Sequence, residues 1–317
     1  MTDNAAKIFN EMKEEYDILQ DLWYSWLFSR LHFLIAKNSI VPFQPKKVLD
    51  VGCGTGFQSF LFAAIGAEVF GVDIASDLID EANKKKETFN PSSLQLFPSY
   101  FSFVDRYNKK IENTLYDLIK SNQYQPPKFF VGDAQKIEFP DSSFDHVNCC
   151  GSTLNFIDDY NSALSEISRV LKPNGTFSIE VDARWNMDIF WPVIDNLLFG
   201  ALKFEMTFKE SFANIFQPIH KHIKIDYPFG ESENPVMMNL WLFTKTGMKR
   251  DLQKVGLRTE NNYSIHSFTN LIPSTFLDSS KPSKLLKRTL NILSKLDEAN
   301  GLNKFPGCSL VLFGYKQ

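Results

Sequence analysis

Apolar positions near the start of the chain recur every three or four places. Ile8, Met12, Leu19, Leu22, Trp26 and Leu34 share one helical face, which predicts helical structure over 5–37. After the turn residues of "VPFQPKK" the pattern changes to short apolar runs. Residues 48–51 predict a strand, 52–56 a loop, 58–65 a helix stopped by Gly66, and 68–74 a second strand. Ser76 is placed to cap a helix over 77–88. The alternation stalls over 90–127, where a helix at 106–122 marks an insertion longer than ordinary loops. It resumes with a third strand at 129–132, a fourth at 146–150, a helix in "YNSALSEISRVLKPNG" ended by Pro173 and Gly175, and a fifth strand at 176–182.

Beyond 182 the order weakens. "WNMDIFWPVIDNLLFGALKFEMTFKESFANIF" is aromatic and helical in pattern, and "IHKHIKIDYPFG" suggests a hairpin. Then "TKTGMKRDLQKVGL" predicts a helix, "RTENNYSIHSF" a sixth strand, 281–298 a helix, and "CSLVLFGYK" a last apolar strand. Strands alternating with helices predict an α/β fold: a doubly wound, Rossmann-like seven-stranded sheet with a helical N-terminal segment. Four parts follow: a helical segment 1–44; a ligand-binding core 45–182 with its insertion at 90–127; a lid insertion after strand five, 183–243; and 244–317, which completes the sheet.

Composition narrows the function classes. The 317 residues carry a formal net charge of −3 with 22% charged residues, and the Lys pairs are scattered. That argues against a nucleic-acid footprint, which clusters Lys and Arg. Phenylalanine stands out at 30 residues, a supply of apolar surface for a core, a substrate pocket or a membrane-facing lip. Cys53, Cys149, Cys150 and Cys308 show no metal or disulfide spacing, so a reducing cytoplasm and no metal centre are expected. The acidic start, "MTDNAAKIFNEMKEEYDILQDLW", lacks the basic and apolar regions of a secretory leader. The apolar stretches near 22–36 and 196–204 are too interrupted to span a bilayer.

The stretch "VLDVGCGTGF" carries the most chemistry. A strand ending Asp50-Val51 is followed by Gly52, Gly54 and Gly56, which bares backbone where open α/β sheets bind ligands. A dinucleotide loop needs G-x-G-x-x-G; here the third glycine comes one residue early and Phe57 follows it. A P-loop needs G-K-[ST], also absent. Asp73, ending strand two in "VFGVDIA", is placed to accept from both hydroxyls of a ribose, and Asp133 in "FVGDAQ" adds a carboxylate at the same rim. Taken singly, each acid could equally cap the helix that follows. Three polar signals at successive strand ends favour a ligand.

Together these segments resemble class I S-adenosylmethionine-dependent methyltransferases, and among them the small-molecule group of the ubiquinone/menaquinone C-methyltransferase type. The resemblance runs through "VLDVGCGTG", "VFGVDIA", "FVGDAQKIEFPDSSFDHVNC" and "EISRVLKPNGTFSIEV", residues 45–182. It implies S-adenosyl-L-methionine as cofactor. Asp50, Gly52, Cys53, Gly54 and Gly56 would line its methionine and ribose side, and Asp73 would bind the ribose hydroxyls. Ile74 would pack on the adenine, with Asp133 and Ala134 holding its edge. The exit of strand four, "CCGSTLNFIDD", makes Gly151, Ser152, Thr153 and Asn155 candidates for cofactor or substrate contact. The histidine that several quinone and sterol relatives show there is missing, which puts those substrates in doubt.

A sulfonium methyl is already activated, so transfer needs alignment and exclusion of water more than a catalytic group. Tyr16 and Tyr24, on the N-terminal helix, are candidates for contact with cofactor or substrate, or for packing on the sheet. Arg184, next to Asp182 after strand five, either holds an anionic substrate or forms a surface ion pair. His220 and His222 share one strand face, but a metal needs a third ligand, so exposed hairpin histidines are expected. The lid's Trp185, Phe190, Trp191, Phe199, Phe204, Phe208, Phe212 and Phe216 predict an apolar cover over the cofactor's methyl group. The expected activity is cytoplasmic methyl transfer to a small molecule. The alternatives are a protein or RNA methyltransferase, disfavoured by "CGST" where N-P-P-Y would stand, and a non-catalytic cofactor-binding module.

Overall fold

A computed structural model describes residues 2–11, 22–94, 106–201, 218, 220–229, 236–273, 276, 283–299 and 305–317. The N-terminal helical segment comprises α1 (Thr2–Glu11) and α2 (Leu22–Ile35), the latter continuing as wider and then tight helical turns to Phe43. Then come β1 (Lys47–Val51), α3 (Phe57–Ala64), β2 (Glu68–Asp73), α4 (Ser76–Thr88) and α5 (Arg106–Ser121). They are followed by β3 (Lys128–Val131), β4 (Phe144–Cys149), α6 (Tyr160–Val170) and β5 (Leu171–Asp182). The C-terminal half holds α7 (Trp191–Leu197), β6 (Ile223–Phe229), β7 (Val236–Leu242), α8 (Lys245–Lys254), β8 (Leu257–Ile265), α9 (Lys284–Ala299) and β9 (Ser309–Lys316).

Seven strands form one sheet in the order β3-β2-β1-β4-β5-β9-β8, with β6 and β7 pairing apart from it. β1 to β5 run parallel, and β9 is antiparallel to both neighbours, which leaves β8 parallel to β5. The carboxyl ends of β1 to β5 and β8 therefore share one rim. The expected doubly wound sheet is present, with strand order reversing between β1 and β4, the crevice where such sheets bind ligands.

Period-two alternation sorts the strand residues between the faces. Leu49, Val51, Val147, Cys149, Phe177 and Ile179 pack with Ala163, Leu164 and Ile167 of α6 and Met248 and Leu252 of α8. Val48, Val69, Val311 and Phe313 pack on the other side with Leu31 and Leu34 of α2, Leu61 and Phe62 of α3, and Leu115 of α5. The insertion helix α5 thus joins the N-terminal segment in covering one face. Register also places Asp50 beside Asn148, and Asn148 beside Ser178, so this second face carries a buried polar row.

Three expectations change. Ser76 does not cap α4; it is the helix's first residue, Ala75 stands at the cap, and Asn10 Oδ1 of α1 accepts the Asp77 N–H at 2.9 Å. The helix before β5 ends at Val170, short of Pro173 and Gly175, because Leu171 already pairs with Phe144. The hairpin is wider than "IHKHIKIDYPFG": that stretch supplies only β6, and its partner is β7.

Candidate functional site

A cleft opens at the carboxyl rim of the sheet. Gly52, Asp73, Ile74, Asp133, Ala134 and Gly151, all expected at the site, line it, as does Thr153. Ala5, Phe9, Val72, Leu78, Gly132, Phe156 and Ile157 complete the wall. The lining is that of a small-molecule or cofactor site, apolar with a few converging polar groups.

The glycine loop is folded by β2 as much as by its own residues. Gly52 and Cys53 both donate to the Val72 carbonyl, at 2.7 and 3.1 Å, and the Gly54 N–H donates to Asp73 Oδ2 at 2.8 Å. The other Asp73 oxygen accepts from the Ala75 N–H at 2.9 Å. Each oxygen keeps a lone pair beyond these bonds, which is what a pair of vicinal hydroxyls requires. Burial raises the Asp73 pKa, while the backbone donors oppose the shift. Across the cleft, Asp133 Oδ1 accepts from the Gln135 N–H at 2.8 Å, and the Gln135 amide lies 3.2 Å from both Asp133 oxygens.

Two of the three glycines make room for protein. Gly52 has φ +70°, and a Cβ there would overlap the Thr153 side chain. Gly56 has φ +87°, and its Cβ would meet the Phe129 ring at 2.7 Å and Phe60 at 2.9 Å. The bare loop therefore lets the exit of β4 and the rings beneath α3 close around it. Gly56 does not line the cleft, nor does Gly54, whose part is its N–H bond to Asp73.

Asp50 and Cys53 are also absent from the cleft wall. The Asp50 carboxylate is fully buried, accepting from Ser59 Oγ at 2.6 Å and from Asn148 Nδ2 at 2.7 Å. Ser178 donates to Asn148 Oδ1 at 2.6 Å, and His146 bridges Ser178 and Thr176 at 3.0 and 2.8 Å. This chain pins β1, β4 and β5 together below the loop. Burial pushes the Asp50 pKa to about 6, against the lowering effect of Ser59 and Asn148, and holds His146 neutral with a pKa of about 3. The Cys53 thiol packs against Phe60, Ile79 and Phe129, and burial pushes its pKa well up.

At the exit of β4, Glu180 does work that the sequence pattern did not announce. Its Oε2 accepts from the Gly151 and Ser152 N–H groups at 2.9 and 2.6 Å, and Ser152 Oγ donates to Asp182 at 2.9 Å. These bonds turn Gly151 and Thr153 toward the cleft. Asn155 points away from it: Nδ2 donates to the Trp241 carbonyl at 2.6 Å and Oδ1 accepts from the Asp182 N–H at 3.2 Å, tying the turn to β7.

Arg184 corrects both of its expected roles. It is fully buried, with Nη1 donating to the Pro218 and Lys221 carbonyls at 2.6 and 2.8 Å and its guanidinium over the Trp185 ring at 4.7 Å. Buried there, it anchors the chain entering β6 instead of standing at the surface. His222 is not an exposed hairpin histidine: it is buried, bonded to Asp251 Oδ2 at 3.0 Å and accepting from the Thr244 N–H at 3.0 Å. His220 is exposed, as expected. Among the described residues no cluster fits a metal ion.

The described part of the expected aromatic lid packs away from the cleft. Trp191 Nε1 donates to the Asn270 carbonyl at 3.0 Å, Phe190 packs in the cluster of Ile189 and Ile223, and Phe199 is 100% exposed. None of these, nor Trp185, lines the cleft. Phe204, Phe208, Phe212, Phe216 and Tyr16 lie outside the described residues, as does the side chain of Tyr24. Among the described residues α1 covers the opening. Phe9 meets Phe156 edge-on with ring centroids 5.2 Å apart, and Ala5 and Ile8 pack on Met238 of β7. The hairpin's described part in the site is to hold α1 and Phe156. Ala5, Ile8 and Phe9 share one helical face, the signal that would have found them.

Residues 49–179 match the family model described as a methyltransferase domain. This stretch is a methyltransferase domain. It contains every cleft residue except Ala5 and Phe9. A methyltransferase domain implies S-adenosyl-L-methionine as the cofactor. The chain is 31% identical over 172 residues to the ubiquinone/menaquinone biosynthesis C-methyltransferase of Rickettsia massiliae (strain Mtu5), covering 54% of this chain and 57% of that protein. It therefore spans little more than half the length of the curated relatives it matches. Among solved structures, it is similar to a protein of Pyrococcus horikoshii OT3 at 20% identity, covering 91% of this chain and 90% of that one, with a TM-score of 0.47. A SAM-dependent methyltransferase from Methanosarcina mazei aligns at 18% identity over 85% of this chain and 92% of that one, with a TM-score of 0.48.

Proposed function

We propose that the methyltransferase domain transfers the methyl group of S-adenosyl-L-methionine to a small, apolar or aromatic acceptor. The observation that carries this reading is the composition of the cleft. Two carboxylates, Asp73 and Asp133, stand at the ends of adjacent strands, and Ile74, Leu78, Ala134, Phe9, Phe156 and Ile157 supply apolar wall around them. Acids for hydroxyl and amine donors flanking an apolar slot fit a nucleoside better than a polyanion, since among the described residues no Lys or Arg lines the cleft.

In this reading Asp73 accepts from the ribose hydroxyls through the lone pairs that Gly54 and Ala75 leave open. Ile74 and Leu78 pack on one side of the base, and Asp133 and Ala134 sit at its edge. Gly52 and Gly151 border the aminoacyl end, with Thr153 wedged between their loops. The cofactor supplies a methyl already activated as a sulfonium. What the protein adds is alignment and dryness: Phe9 and Phe156 exclude water above the cleft, and Glu180 fixes the loop bearing Gly151. Among the described residues no side chain lining the cleft is a general base stronger than a carboxylate, which suits an acceptor reactive without deep activation. The C-methyltransferase relatives support a carbon acceptor on an electron-rich ring.

The test is turnover with methyl-labelled S-adenosylmethionine against phenols, quinols and amines. Label transfer to a ring carbon or heteroatom of a small acceptor is the expected result. Label confined to protein or RNA, with none on small molecules, would overturn the proposal.

A further inference from the structure

The outward face of α9 is the feature that neither the core nor the cleft uses. Its inward residues, Leu290, Ser294 and Asp297, are buried, and Asp297 accepts from the Phe268 and Thr269 N–H groups and from Thr269 Oγ1. Opposite them, Leu285, Ile292 and Leu296 stand at i, i+7 and i+11, a single stripe, and are 75%, 56% and 44% exposed. One helix thus carries apolar residues on two opposed faces, and among the described residues only one face is covered.

Charge decides what covers the other. Lys284, Arg288 and Lys295 lie along one flank of the stripe, with Lys287 behind them, on a chain whose net charge is −3. The acids of the helix, Asp297 and Glu298, fall at its last turn, and Asp297 is turned inward. A basic flank beside an apolar stripe is the pattern of helices that lie in the interface of an anionic bilayer. A second copy of the chain fits poorly, because face-to-face pairing would set Arg288 and Lys295 against their own kind. Position agrees. The turn that seats α9 follows the carboxyl end of β8, on the rim that carries the cleft, and the exposed Leu271 and Phe305 lie beside that turn.

We infer that α9 docks the protein on an anionic phospholipid surface, with Leu285, Ile292 and Leu296 entering the interface and Arg288 and Lys295 facing the headgroups. The attachment is peripheral: among the described residues no helix is long and apolar enough to cross a membrane. It stands apart from the methyl-transfer reading and is tested without turnover.

Co-sedimentation of the full chain with phosphatidylglycerol-containing vesicles, and with pure phosphatidylcholine vesicles, tests it. Binding to the anionic vesicles that weakens with added salt is expected. Each surface cation contributes about a fivefold change in partitioning, so the double variant Arg288→Glu/Lys295→Glu loses ~25-fold or more. Ile292→Glu loses binding as well. Both variants change exposed residues, and unchanged circular dichroism and cofactor affinity show that the fold is kept. Equal sedimentation of wild type and both variants, or none on anionic vesicles, overturns the inference. So does a dimer in light scattering that Ile292→Glu dissociates, since the face would then be a self-interface.

Discussion

Asp50→Asn separates a carboxylate that holds the sheet from one that holds a ligand. In the folded protein burial raises the Asp50 pKa to about 6 from the ordinary 3.8, despite bonds from Ser59 and Asn148. Between those values the folded chain keeps a proton that the unfolded chain has lost, so stability is fullest below pH ~4 and falls as pH rises toward 6. At 1.36 kcal/mol per pH unit, the loss across this window is roughly 3 kcal/mol. Asparagine can still accept from Asn148 and offer its amide to the Ser59 hydroxyl, so the variant keeps the polar row without the ionisation. Urea unfolding at a series of pH values from 4 to 7.5 reads the difference between wild type and variant. The variant is expected to gain on the wild type by about 3 kcal/mol across the series. Its affinity for S-adenosylmethionine stays within a factor of about three, because a side chain outside the cleft contributes less than ~0.7 kcal/mol to binding. Parallel stability profiles, or a tenfold loss of affinity, would refute this assignment.

Gly52→Ala is expected to destabilise the fold by about 3 kcal/mol, from a left-handed backbone and an overlap with Thr153. Adding Thr153→Gly removes the overlap and leaves the backbone cost, ~1–2 kcal/mol, which thermal melts resolve. Arg184→Met leaves the Pro218 and Lys221 carbonyls without their donor, so it costs about 2–4 kcal/mol while the Kd for cofactor stays the same. A rise in KM with stability intact would return Arg184 to the substrate.

The sheet was legible because strands buried on both faces produce apolar runs, and their terminal acids and glycines break those runs sharply. Asp73, Ile74, Asp133, Ala134 and Gly151, which line the cleft, stand out for that reason, each being at or just past a strand end. Asp50 misled because position alone does not tell whether a strand-end carboxylate points along the strand or into the sheet. Its partner Asn148 is 98 residues away, and only register brings the two together. Arg184 and His222 misled for a related reason: a polar residue in an irregular segment looks exposed until its carbonyl or carboxylate partner is known. Among the described residues the cover over the cleft comes from Ala5 and Phe9 of α1, while much of the aromatic tract expected to supply it lies outside them. Phe9 gains its place from Phe156, and no local pattern in either segment encodes that meeting.

Titration calorimetry of S-adenosyl-L-methionine into wild type and Asp73→Ala tests the central claim most directly. The wild type is expected to bind one equivalent. The variant, losing two charge-assisted hydrogen bonds worth ~1.5 kcal/mol or more each, is expected to bind at least ~100-fold more weakly. A wild type that takes up no cofactor, or an Asp73→Ala variant that binds as tightly, would contradict the account.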